Sequence, residues 1–213
     1  GTVGLLTRLV PWLRRLFPGA RLRVRLDGGF ASPIVFDRLE RLRVEYVVAM
    51  GENAVLARAA EPYLAQIRER ATTAHETTKM YGECQYRSRG WSHHRRVLIK
   101  AEITCLGGRA PIDNPRFVVT NLRQTPRWIY EQIYCARGEI ENRIKELKTG
   151  LPIDRTSCCQ FWPNQLRVLL TAAAYVLMQE VRRQAARTAY ARAQVLTLRE
   201  RLFKLGARVA VSV

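Results

Sequence analysis

The stretch that most constrains this chain is residues 129–148, IYEQIYCARGEIENRIKELK. It holds Gly138 but no proline, and Ile129, Ile133, Ala136, Ile140, Ile144 and Leu147 recur every three or four positions. That spacing predicts an amphipathic helix, entered after Pro126 and stopped by Thr149-Gly150 ahead of Pro152. At about 100° per residue, Tyr134, Arg137, Glu141, Lys145 and Lys148 share one flank beside the apolar stripe. Glu131, Glu139 and Glu146 point to a third side, so Glu141 is the one carboxylate in a basic and aromatic row. Ordinary i,i+4 pairing with Arg137 and Lys145 accounts for such a residue. So does a metal-ligating carboxylate whose cationic neighbours hold phosphates.

Charge narrows the partner. Among 213 residues, 36 Lys and Arg stand against 18 Asp and Glu, a formal net charge of +18. Apolar residues make up 47%, enough for a core, which excludes a disordered basic tail. The positive charge is spread along the chain, which favours nucleic acid over a membrane surface. The longest apolar run, 168–178, is too short to span a bilayer, and residues 1–10 do not read as a signal peptide. Cys84, Cys105, Cys135, Cys158 and Cys159 form no C-x-x-C and have no histidine at zinc spacing. They read as reduced, buried thiols of a cytosolic protein.

Taken in order, residues 5–17 predict a helix with a kink at Pro11, and residues 21–26 alternate as a strand. Asp27 stands at the end of that strand, before Gly28-Gly29, where α/β folds place functional groups; Asp-Gly is also a common turn signal. Ser32-Pro33 predicts the start of a helix running to about Arg43, followed by a strand over 44–50. That order predicts a parallel sheet with helical crossovers. A helix is expected over 53–70 with a break at Pro62, then two or three antiparallel strands over 72–104. Within the latter, Arg87, Arg89, Trp91, His93, His94, Arg95 and Arg96 suggest either a DNA-contacting ribbon with Trp91 stacked on a base or an exposed sheet face. A strand over 116–122 leads to the central helix. Residues 151–161 read as loop, and helices are expected over 165–183 and 189–204.

Tyr134, Arg137, Glu141 and Lys148 reproduce Y-x(2)-R-x(3)-E-x(6)-K, and Arg25, Asp27 and Phe30 reproduce R-x-D-x-x-F. Both patterns resemble those of bacterial insertion-sequence DDE transposases of the Y-R-E-K type. The resemblance implies an α/β, partial RNase H-like core with an inserted β-rich subdomain and C-terminal helices. Its parts would be 1–51, the second half of the sheet with the second catalytic aspartate; 52–110, the insertion; 111–150, the last core strand and acidic helix; and 151–213, a helical region. It implies Asp27 and Glu141 as catalytic metal ligands for two Mg²⁺ or Mn²⁺ ions, and Tyr134, Arg137 and Lys148 as DNA contacts. Lys145 and Arg143 join these contacts from helix geometry and charge. The implied partner is double-stranded DNA, element ends and target, without a membrane, in a homodimeric synaptic complex in the bacterial cytoplasm. The implied activity is phosphodiester cleavage and strand transfer at element ends. The alternative is a catalytically dead remnant that binds nucleic acid through charge, and a general RNA-binding protein rests on the charge alone. In the resembling family the first catalytic aspartate lies on the opening strand of the sheet. Asp27 is the first acid here, so the expectation is a C-terminal part lacking three strands and that aspartate.

Overall fold

The computed structural model describes residues 1–74, 76–105, 110–204 and 206, with only the backbone path at 74 and 137–139. The chain forms two compact units, Gly1–Arg137 and Gly138–Val213.

In the first unit, α1 (Thr2–Leu16) leads to β1 (Arg23–Leu26), a 3₁₀ turn at Gly28–Phe30, α2 (Pro33–Arg41), β2 (Glu45–Met50) and α3 (Ala54–Ala74). Next come β3 (Thr78–Tyr86), β4 (Arg95–Thr104), β5 (Ile112–Asp113) and β6 (Arg116–Thr120). Local chemistry starts two of these helices where expected. Ser32 accepts from the Val35 N–H with Pro33 at the first helical position, and Asn53 Oδ1 accepts from the N–H groups of Val55 and Leu56. Pro62 does not break α3, which runs through it. Leu56, Ala60, Leu64 and Ile67 are buried along its inner face, and at roughly 1.5–3 kcal/mol per large side chain that packing exceeds the ~3 kcal/mol a mid-helix proline costs.

The sheet order is β1-β2-β6-β4-β3, with β5 on β4. Among the described strands only β1 and β2 are parallel; β6 lies antiparallel to both β2 and β4, and β3 antiparallel to β4. The sheet is therefore mixed, not parallel, because β6 returns between β2 and β4 instead of crossing over. Of residues 52–110, expected as an insertion, β3 and β4 join this same sheet and α3 packs on it.

Alternation gives the sheet two apolar faces. Tyr46, Val48, Ile99 and Val119 face Leu6 and Val10 of α1, Phe36 and Leu39 of α2, and the inner side of α3. Val47, Leu98 and Val118 face the other way, under Leu122, Ile129 and Tyr130. On α1 the inward residues are Leu6 and Val10, whereas Leu5, Trp12 and Leu16 are exposed.

The expected single helix over 129–148 is helical throughout but not uniform. It begins as α4 (Pro126–Trp128), widens to a π-helix at Ile129–Tyr134, and tightens to 3₁₀ at Cys135–Arg137. It continues as α5 (Gly138–Lys145) and ends as a π-turn at Glu146–Gly150. Adjacent Ile129 and Tyr130 are both buried on the sheet. In the second unit α6 (Phe161–Gln184) follows, then a short α7 (Val195–Leu198) and a π-turn at Arg199–Phe203. The expected helix over 189–204 starts only at Val195.

Candidate active site

Asp27 stands where β1 ends. Its backbone is still extended (φ −84°, ψ 178°), and its Oδ1 accepts the Gly29 N–H at 3.0 Å, capping the Gly28–Phe30 turn. Glycine suits position 29 because a Cβ there would lie 3.3 Å from that carboxylate oxygen. The aspartate thus has a fixed place at the carboxyl end of the parallel pair β1–β2, the end at which open α/β sheets carry ligands. Two residues earlier, Arg25 points to the face of Val47 and donates from Nη1 to the Ile133 carbonyl at 2.6 Å. That bond ties the aspartate's strand to the helical run bearing Tyr134. Tyr134 is half-buried there, its ring 5.1 Å from that of Tyr130, which in turn meets Tyr81.

Glu141, Lys145 and Lys148 belong to the second unit and are all exposed, the first two on α5 and Lys148 on the π-turn. Arg143 is also exposed, but its guanidinium is occupied by Glu146 at 3.0 Å. The side chain of Arg137 lies outside the described residues. The signature residues therefore divide at Arg137, with Tyr134 in one unit and Glu141 and Lys148 in the other.

A family model described as transposase DDE domain group 1 matches residues 1–213. The chain belongs to that family. No curated protein and no solved structure matches it.

For a DDE transposase domain the relevant donors are carboxylates, the hard oxygen ligands that Mg²⁺ or Mn²⁺ prefers. Asp27 and Glu141 are of that kind, the first at a strand end and the second on an exposed helix face. Among the described residues no three His, Cys, Asp or Glu side chains gather as a metal cluster. No described helix of the domain is long and apolar enough to cross a membrane.

The ribbon reading of residues 87–96 needs correcting. Trp91 is buried against Phe36 (5.1 Å) and Tyr86 (5.5 Å), so it cannot stack on a base. Arg95 is buried too, donating to Asp37 at 2.7 Å and to Glu40 at 2.7 and 2.9 Å while lying over the rings of Phe36 and Trp91. Burial opposes ionisation of Glu40, but hydrogen bonds from Arg95 and Tyr46 outweigh it and hold its carboxyl below the usual range. Burial and the facing Glu40 carboxylate push the Tyr46 hydroxyl well up. The cysteines differ from expectation as well: Cys135, Cys158 and Cys159 are exposed.

Sequence reasoning missed Glu146, which it placed with Glu131 and Glu139 on a third side of the helix without a role. Glu146 is buried and accepts from Arg143, from the Tyr175 hydroxyl (3.0 Å), from Arg182 (2.5 Å) and from the Val195 N–H (3.2 Å). Burial alone would raise its pKa, yet the donors Arg143, Tyr175 and Arg182 hold it below the usual glutamate value. The only local signal is Arg143 three residues earlier; the other partners are 29 to 49 residues away.

Proposed function

We propose that this domain cleaves DNA at the ends of an insertion sequence and joins them to target DNA, with Asp27 and Glu141 as its metal-holding carboxylates. The observation that carries the reading is Asp27, capped and fixed at the carboxyl end of β1–β2 in a chain matched along its length by a DDE family. The parallel pair, with helices on both faces of the sheet, supports an RNase H-like core, and the Y-R-E-K spacing supports that subtype. Bound Mg²⁺ or Mn²⁺ would activate the attacking oxygen and stabilise the leaving one. Asp27 and Glu141 would hold the ions through carboxylate oxygens. Tyr134, Arg137, Lys148 and Lys145 would hold and orient the DNA strand near them, the cations by phosphate contacts. Arg143 would contribute more weakly, because Glu146 already takes its guanidinium.

Iron-directed scission tests this without depending on turnover. Fe²⁺ replacing Mg²⁺, with ascorbate and peroxide, should cut the backbone near both 27 and 141, and excess Mg²⁺ should protect both. Asp27→Asn or Glu141→Gln should each lower scission at both places by about tenfold or more. Scission at one carboxylate only, or at neither, rejects a shared ion and leaves nucleic-acid binding through charge as the function.

A further inference from the structure

Cys158 and Cys159 are neighbours in the chain, both unbridged and exposed, in the segment that leads into α6. Across the trans peptide that joins them their Cα atoms stand about 3.8 Å apart. A relaxed disulfide needs about 4.4–6.8 Å, so the pair does not close on itself without strain. Two sulfurs that cannot readily bond each other remain available to bond one atom between them. The pair is also held in place. Asn164, in the first turn of α6, accepts the Cys158 N–H at its Oδ1 (3.2 Å). Its Nδ2 donates to the carbonyls of Cys158 (2.5 Å) and Gln160 (3.1 Å), so one amide brackets the backbone on both sides of Cys159. The same asparagine lines an open groove of about 560 Å³ with Thr156, Phe161, Gln165, Val168 and Leu169. That volume lies in the range of small-molecule sites, and Phe161, Val168 and Leu169 make half of its wall apolar.

We propose that Cys158 and Cys159 form a binding site for a thiol-seeking soft centre, trivalent arsenic in an organic arsenous compound, with the groove beside Asn164 receiving the apolar group it carries. Cysteine sulfur is a soft ligand and selects soft centres. The step is a condensation without change of oxidation state. An arsenous oxide, R–As=O, gives up its oxygen, two As–S bonds form, and the two thiol protons leave with that oxygen as water. Once one sulfur is bonded, the second bond closes within the same short segment, a gain of about 10²–10⁴ over a single thiol. Asn164 has already ordered the backbone that carries both sulfurs, so closure loses little conformational freedom. Cys84, Cys105 and Cys135 each stand singly in the sequence. The site uses neither Asp27 nor Glu141 and needs no DNA, so it stands or falls apart from the cleavage reading.

Phenylarsine oxide added to the reduced 213-residue chain, without metal or DNA, tests the site by intact mass and peptide mapping. A single adduct bridging 158 and 159 is expected, released by a 1,2-dithiol and retained against a large excess of a monothiol. Cys158→Ser and Cys159→Ser should each weaken it by about a hundredfold or more. Cys135→Ser, at an exposed but single thiol, should leave it unchanged, and circular dichroism should show all variants folded. Phe161→Ala should weaken binding of phenylarsine oxide more than that of its methyl counterpart, which has no ring to place in the groove. An adduct that a monothiol removes as readily as a dithiol overturns the proposal. So does one that maps to other cysteines or survives either serine variant at 158 or 159, and a Phe161→Ala effect equal for the two arsenicals overturns the part given to the groove.

Discussion

In the first unit, β2, β4 and β6 carry apolar side chains on both faces and helical segments cover each face; in the second, a carboxylate takes the buried centre. Among the described residues, the buried apolar ones around Glu146 are Met178, Val195 and Leu198, whereas Trp162 and most of the large aliphatics of α6 face out. The contrast teaches where stability resides. A sheet with two dry faces spreads its free energy over many side chains, each replaceable at modest cost. A small unit built on an ion-paired carboxylate concentrates it in a few bonds, because a buried charge that loses its partners is costly.

The largest effect should come from Glu146→Ala. It leaves the Arg182 guanidinium, 11% exposed, together with Tyr175 and the Val195 N–H, without their acceptor, at about 3–5 kcal/mol. Hydrogen exchange should show α6 and α7 losing protection while β2, β4 and β6 keep theirs. Equal loss in both units would break the contrast. A smaller and opposite test uses Gly82 on β3, which lies under the Tyr63 ring; a Cβ there would sit 2.1 Å from it. Gly82→Ala should cost roughly 1–3 kcal/mol through overpacking, confined to the first unit and partly relieved by Tyr63→Ala.

The smallest effect is the pH dependence. Glu146 has its folded pKa depressed, so the unfolded chain binds its proton more readily. Its contribution is complete above the ordinary glutamate pKa and fades as pH falls through the depressed folded value. Glu40 in the first unit shifts in the same direction, so acid weakens both units. Glu146→Gln should reduce the acid dependence of exchange in α6 and α7, leaving that of β2 and β4 intact.

What could be read from the sequence was what neighbours in the chain decide. The Ser32-Pro33 start of α2, the strands around β1 and β2, and the placement of Asp27 at a strand end all follow from side chains within a few residues. Pro62 misled because its cost is local while the packing that outweighs it is not. The mixed sheet was hidden because nothing in residues 116–120 announces that β6 lies between β2 and β4. Trp91 and Arg95 looked like a nucleic-acid surface because aromatic–cation interleaving is the same pattern whether it faces solvent or stacks inside on Phe36. Glu146 was opaque for the same reason at longer range, since Tyr175, Arg182 and Val195 find it only after α6 and α7 have packed.

The bond from Arg25 to the Ile133 carbonyl also sets which changes in chain length this domain can absorb. A strand shows its two faces alternately, so one residue inserted within β1 would swing Arg25 to the α1–α3 side and put Val24 or Leu26 under the helical run. The guanidinium would lose its carbonyl, and Asp27 with the turn it caps would shift by one position relative to the neighbouring strand. The bend at Pro18-Gly19 is exposed, with Gly19 at φ +83°, and an added residue there costs little. In grafting or diversifying this chain, the four residues of β1 act as a ruler to be copied at fixed length, and the bend before them is where length can vary.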